Sequence, residues 1–381
     1  MPSRMQNFLC ASNLDGFLFV GESICDADMY YLSHFLAGDR FALLAEEKTT
    51  LLVSSMEKGR AEKESTADKV LSTSEYEIME KLKKSGKPDQ AYLEVLREFL
   101  CDQCVSRVGV PNRFPAGIFQ HLAQDFEVKI LESPATRYRA VKTDKEVAAI
   151  TSTQRACERA MRKAVDLIAT SQPRGDILFY RDQPLLSEQV RSIIEVSLLE
   201  EACETMDTIV AGGANAADPH MRGVGPLAAN APIVIDIFPR SKVSRYYADM
   251  TRTVLKGEAS LEVREIYDAV RQAQDVGLKG IRSGVPGKEV HSSVAQVFRE
   301  LGFPETEGCG FTHSTGHGVG LDVHEKPSLS ETGETLQAAQ VVTVEPGLYY
   351  PLIGGVRLED LVVVTENGCE NLTRFEKKLV L

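Results

Sequence analysis

Five residues able to bind a metal ion stand along the chain in the order Asp236, Asp249, His317, Glu345, Glu359. Each lies inside or at the end of a stretch that otherwise reads as buried strand: PIVIDIF, YYADMTRT, HSTGHGVGLDVHE, VVTVEPGLYY and GGVRLEDLVVV. Carboxylates converging in an apolar interior repel one another and stay protonated unless cations neutralise them, because burying an unpaired charge costs many kcal/mol. Two divalent ions remove that cost. An oxygen-rich set with one imidazole and no thiolate therefore reads as a two-metal hydrolytic centre. Its hard ligands suit Mn²⁺, with Co²⁺ or Zn²⁺ as alternatives.

Strand alternation puts the ligands on shared faces. In PIVIDIF, Val234, Asp236 and Phe238 point one way and Ile233, Ile235 and Ile237 the other. In ADMTRT the matching set is Asp249, Thr251, Thr253, so Thr251 is placed to hydrogen-bond the carboxylates. In GVRLEDL, Arg357 shares a face with Glu359, while Asp360 points away and reads as a turn or surface carboxylate. Gly316, Gly318 and Gly320 around His317 fit close backbone approach to a crowded centre. His313 and His324 join His317 in this glycine-rich segment, whereas His220, in ADPHMRG, is a candidate only because it lies upstream of Asp236. His34, His121 and His291 read as structural. The segment matches neither a nucleotide fingerprint nor the H-E-x-x-H motif, and the chain has no G-x-S-x-G elbow.

The elements that must position these residues suggest two domains of a mixed α/β (α+β) protein, since 381 residues exceed one ordinary core. The first 130 or so residues alternate strand-like runs (GFLFVG, FALLAEE, TTLLVSS, VSRVGVP, FEVKIL) with helical patterns such as Gln90 to Leu100, and carry no catalytic cluster. Thr143 to Glu146 form a capping box opening a helix through about Ala169. The boundary falls between Ser133 and Lys142, which gives a domain of residues 1–137 and a larger one of 138–381. In the latter, helices are expected over Ser187 to Glu204, Leu261 to Ile281 and Gly287 to Leu301. The order helix, helix, ligand-bearing strands occurs twice and hints at an internal duplication.

A net charge of −12 without a basic run argues against nucleic-acid binding. Asp15 interrupts the first apolar run before it reaches signal-peptide or membrane-spanning length, so a cytoplasmic protein without membrane contact is expected. Of the eight Cys, only Cys101 and Cys104 have C-x-x-C spacing; late in a helical apolar pattern, they read as structural rather than redox-active.

The segments VIDIF, YYADMTRT, HSTGHGVGLDVHE, VEPGLYY and GGVRLED resemble the signature of the pita-bread metallopeptidases, the family of aminopeptidase P, Xaa-Pro dipeptidase (prolidase) and methionine aminopeptidase. The resemblance covers roughly Lys142 to Leu381, and the preceding domain resembles the creatinase-type N-terminal domain of the proline-directed branch. It implies that Asp249 and Glu359 bridge two metals, Asp236 binds one, and His317 with Glu345 binds the other. It also implies that His220 and His324 line the substrate pocket, that His313 belongs to the proline-directed branch, and that Arg357 lies near the substrate carboxylate. Three departures stand out: 13 positions separate Asp236 from Asp249, about two more than is common, Phe238 stands where glycine is frequent, and Ser328 stands where archaeal-type prolidases often have Arg.

The expected activity is hydrolysis of peptides with proline at the second position, by a homodimer as is common in this branch. Two ions sharing a water lower its pKa from 15.7 to about 7, making a metal-bridging hydroxide the nucleophile. Glu345 is the expected proton carrier, His324 helps stabilise the oxyanion, and His220 is the remaining catalytic candidate. Because Ser328 supplies no cation for a free carboxylate, an aminopeptidase P-like preference for longer peptides is expected, with a strict Xaa-Pro dipeptidase as the alternative. A metal-free creatinase-like enzyme or a non-catalytic binding protein on the same fold would have lost ligands, and all five positions are filled.

Overall fold

The computed structural model describes residues 4–306 and 308–381. The chain divides into two compact units, Met1–Arg139 and Ala140–Leu381.

In the first unit the apolar runs become a six-stranded mixed sheet built from β1 (Gly16–Gly21), β2 (Phe41–Ala45), β3 (Thr49–Val53), β4 (Lys69–Ser72), β5 (Arg107–Pro111) and β6 (Glu127–Leu131), in the order β4-β3-β2-β1-β5-β6. Alternation sorts its two faces. Leu18, Val20, Leu44 and Leu52 pack with Val95, Leu96 and Phe99 of helix α1 (Pro88–Asp102), while Phe17, Phe19, Leu43 and Leu51 form a second cluster with Phe35. Strand β4 goes unrecognised in the sequence because an edge strand buried on little of its length shows almost no alternation. Cys101 and Cys104 are both exposed free thiols, so neither belongs to the apolar face that the helical spacing suggested.

The second unit repeats one theme. The capping box at Thr143 forms as expected, with the Thr143 hydroxyl accepting from the Glu146 N–H and Glu146 accepting from the Thr143 N–H, and it opens α2 (Asp144–Thr170). Helix α2 pairs with α3 (Ser187–Glu200) against a three-stranded antiparallel sheet of β7 (Ile209–Gly212), β8 (Ile233–Ile237) and β9 (Met250–Val254). The face of β8 bearing Ile233, Ile235 and Ile237 packs on Cys157, Ala160, Met161 and Ile194, each isoleucine contributing about 1.5–3 kcal/mol by burial. Helix α3 stops before Glu204: Ala202 takes a left-handed φ of 53°, and Cys203–Glu204 pairs with Arg240–Ser241. From the hairpin after Asp236, Arg240 and Arg245 both reach Glu204, at 2.6 and 3.2 Å.

A second helix pair follows, α4 (Leu261–Gly280) and α5 (Gly287–Glu300). It packs against strands β10 (Gly316–Gly318), β11 (Glu325–Leu329), β12 (Val341–Val344), β13 (Gly347–Tyr350), β14 (Gly354–Arg357), β15 (Asp360–Val364) and β16 (Cys369–Asn371). Five of these form an antiparallel sheet in the order β11-β10-β12-β15-β16, and β13 pairs with β14 as a hairpin. Among the described residues no helix is long and apolar enough to cross a membrane.

Candidate metal centre

All five candidate ligands line one cavity of about 530 Å³ in the second unit, together with His220, His313, His324 and Arg357. They reach it from sheet interiors and strand ends. Asp236 is the penultimate residue of β8, in register with Ile209 of β7 and Thr251 of β9, whereas Asp249 directly precedes β9 and donates its N–H to Gln154 Oε1 at 3.3 Å. His317 is the middle residue of β10, Glu345 follows β12 and donates its N–H to the Thr315 carbonyl, and Glu359 lies between β14 and β15 with its N–H on the Thr251 carbonyl. The glycines beside His317 serve the close approach expected of them. A Cβ on Gly316 would fall 2.0 Å from the Thr343 carbonyl oxygen, and one on Gly318 would fall 2.3 Å from that of Lys326.

Ligand atoms of Asp249, His317 and Glu359 lie within 4.8 Å of one another. His317 Nε2 is 3.1 Å from Glu345 Oε1 and 3.8 Å from Asp249 Oδ2. Asp236 stands outside the tight triplet, its Oδ2 accepting from Arg357 Nη2 at 2.7 Å. Thr251 donates to Glu359 Oε2 at 2.8 Å, the support that strand alternation assigned to it.

This cluster is short of positive charge. Burial pushes the carboxyls of Asp249 and Glu359 well above their ordinary range, and the neighbouring acids push them further. Burial also raises Asp236, which Arg357 only partly offsets. Burial alone would raise Glu345 too, but its hydrogen bond to His317 prevails and lowers it to about 2. Asp236 Oδ1 and Glu359 Oε1 are buried without a hydrogen-bond partner. The ring of His317 carries the same message. Its Nδ1 lies 3.2 Å from the Gly318 carbonyl, to which it can only donate, so Nε2 turns an acceptor lone pair toward carboxylate oxygens unless a proton or cation stands between. Orphaned oxygens, a directed imidazole and surplus negative charge together fit divalent cations, and Asp236, Asp249, His317, Glu345 and Glu359 could hold them.

Around the acids runs a network only partly anticipated by the sequence. Arg357 is buried and donates through Nε to Thr251 at 3.1 Å, through Nη1 to the Tyr349 hydroxyl at 2.8 Å and the Pro219 carbonyl at 3.4 Å, and through Nη2 to Asp236. The Tyr349 hydroxyl in turn donates to His313 Nε2 at 2.9 Å, and His313 Nδ1 donates to the Ser314 carbonyl at 2.7 Å. Burial lowers the pKa of His313, in keeping with this neutral form. Tyr349 went unnoticed in the sequence, although its place four residues after Glu345 was the available signal. Exposed His220 and His324 also line the cavity, the His324 ring centroid lying 4.2 Å from that of His317. Asp360 corrects an expectation. It is neither turn nor surface but fully buried, bonded to Arg252 at 2.8 Å, Lys377 at 2.7 Å and Asn371 at 2.9 Å.

Comparisons with known proteins show the family of this chain. Residues 3–141 match the model of the creatinase/prolidase N-terminal domain, and residues 139–366 match that of metallopeptidase family M24. The Xaa-Pro dipeptidase of Pyrococcus horikoshii is 30% identical over 93% of this chain and 92% of its own. The crystal structure of the prolidase from the same organism superposes with a TM-score of 0.81 at 26% identity, covering 99% of this chain and 98% of the other. That of an X-Pro aminopeptidase from Thermotoga maritima gives 0.80 at 28% identity, with all of both chains covered. The family match spans more than half of the chain and all five clustered residues, and the protein belongs to metallopeptidase family M24.

Proposed function

We propose that the protein hydrolyses the peptide bond before a proline at the second position of a peptide, with two divalent ions held by Asp236, Asp249, His317, Glu345 and Glu359. The observation that carries this reading is the buried, under-neutralised acid cluster, whose Asp236 Oδ1 and Glu359 Oε1 have no protein partner. Bound ions supply polarisation of the scissile carbonyl and activation of the attacking water, and the oxygen-rich set suits Mn²⁺. Glu345, whose carboxylate borders the same cavity, takes up the water's proton and returns it to the leaving proline nitrogen. Exposed His324 and His220 face the same space and donate to the carbonyl oxygen as it gains charge. Ile209, Pro219, Phe238 and Val323 supply the apolar wall that a pyrrolidine ring requires.

Chain length is a separate question. The absence of a cation at Ser328 pointed to longer peptides, whereas the Pyrococcus relative that matches nearly the whole chain is a dipeptidase. The support from relatives therefore leans to the dipeptidase. Metal analysis of the purified protein, with an Xaa-Pro dipeptide, an Xaa-Pro tripeptide and an Xaa-Ala dipeptide assayed side by side, tests the proposal. Metal-dependent cleavage of the proline substrates alone is expected. Equal cleavage of the Xaa-Ala control by the metal-loaded enzyme would sink the proline assignment.

A further inference from the structure

We propose, resting on the proline-directed activity above, that Arg222 recognises the free carboxylate of the substrate's proline and so sets a preference for dipeptides. Two guanidinium groups line the cavity, Arg222 and Arg357. Arg357 is buried and each of its three nitrogens already donates to the protein, one of them to Asp236. Turning it toward a substrate would strand a buried carboxylate. Arg222 is of the opposite kind. Its side chain is 51% exposed, and its partner Asp207, 68% exposed, stands 3.4 Å away. An exposed pair of that sort holds little energy, so an incoming carboxylate can replace Asp207 at small cost. The planar guanidinium then offers two parallel donors.

The backbone of Arg222 is fixed in a way that a solvated surface arginine does not require. Its carbonyl accepts from the Val210 N–H of β7 at 3.0 Å and from Arg191 Nη1 at 2.6 Å, and Arg191 also donates to the Gly223 carbonyl at 2.8 Å. Gly223 has a φ of +79°, and a Cβ there would fall 1.9 Å from the Val210 carbonyl oxygen. The loop is thereby pressed onto β7, whose Ile209 lies in register with Asp236. A dipeptide carries its carboxylate on the proline itself, directly beyond the scissile bond, so the recognising cation must share the cavity with the acid cluster. Arg222 does, and a longer peptide presents it only a neutral amide.

The test compares kcat/KM for an Xaa-Pro dipeptide and for its C-terminal amide in the wild type, Arg222→Ala and Arg222→Lys. The wild type is expected to favour the free acid by about 10- to 100-fold, the range of a charge-assisted hydrogen bond. In Arg222→Ala that ratio should collapse toward one, mainly through KM for the acid, and Arg222→Lys should restore part of it. A wild type without preference for the acid, an unchanged ratio in Arg222→Ala, or an equal loss on both substrates overturns the role of Arg222 and leaves the proline activity standing. A metal-loaded wild type that cleaves neither substrate overturns both.

Discussion

Glu359 and Asp360 are neighbours in the chain, both almost fully buried, yet they belong to opposite electrostatic worlds. Burial would raise the pKa of either. At Asp360 the charges of Arg252 and Lys377, with hydrogen bonds from Lys377 and Asn371, outweigh burial and hold the carboxyl below its ordinary range. At Glu359 burial is reinforced by Glu345 and Asp236, Arg357 opposes them only partly, and Oε1 finds no partner. A buried acid whose oxygens are all paired holds elements together; here Arg252 ties β9 to β15 and to the carbonyls of Phe375 and Glu376. A buried acid among other acids, with an oxygen left over, marks a place where cations bind.

Breaking the acid cluster should have the largest effect. Asp249→Ala and Glu359→Ala are each expected to lower kcat/KM at least about a thousandfold, roughly 4 kcal/mol of transition-state stabilisation, and to lower metal content. Near-normal turnover with full metal loading in either variant would remove that residue from the proposed ligand set.

Asp360→Asn probes the paired side of the comparison. It should destabilise the protein by about 3 kcal/mol in denaturant titrations, the low end for breaking a buried pair, because the carbonyls of Thr251, Glu359, Phe375 and Glu376 still hold Arg252. Metal content of the folded fraction should stay at the wild-type level. A variant as stable as the wild type would show that the pair is not structural.

Chelation and pH give the smallest but most diagnostic effect. Saturating metal at about 100 times Kd adds about 2.7 kcal/mol, which a chelator should remove as a fall in Tm. In the chelated protein Asp249 and Glu359 have folded pKa values above their unfolded ones, so the native state binds more protons and stability declines as pH rises from about 4 through the raised values. Each such group contributes a slope of up to about 1.4 kcal/mol per pH unit. Asp360 has the opposite sign: its contribution is present above the ordinary carboxylate pKa and is lost as pH falls through its depressed folded value. Chelated protein whose stability rises from pH 5 to pH 7 would contradict the surplus of negative charge in the cluster.

Much of this was legible in the sequence because it depends on short-range periodicity. The period-2 pattern of PIVIDIF places Asp236 opposite the isoleucines, and the structure packs those isoleucines on α2 and α3 while Asp236 faces the cavity. The capping box at Thr143 and the starts of α3, α4 and α5 likewise follow from local hydrogen bonding and amphipathic spacing. Asp360 shows the limit of the method. Alternation correctly turned it away from Glu359, but nothing local says that Arg252, 108 positions earlier, waits on the other face.

Residue types and their order along the chain were thus enough to indicate the main helices of the second unit, most of the strands and the candidate acids, since helix caps and strand alternation rest on interactions spanning a few residues. Tertiary structure alone decided which charges are neutralised by whom. It committed Arg357 to Asp236 and Tyr349, buried Asp360 between Arg252 and Lys377, and pressed the Arg222 loop onto β7. Electrostatic roles depend on distances and burial across sheets, and no periodicity in the chain encodes those.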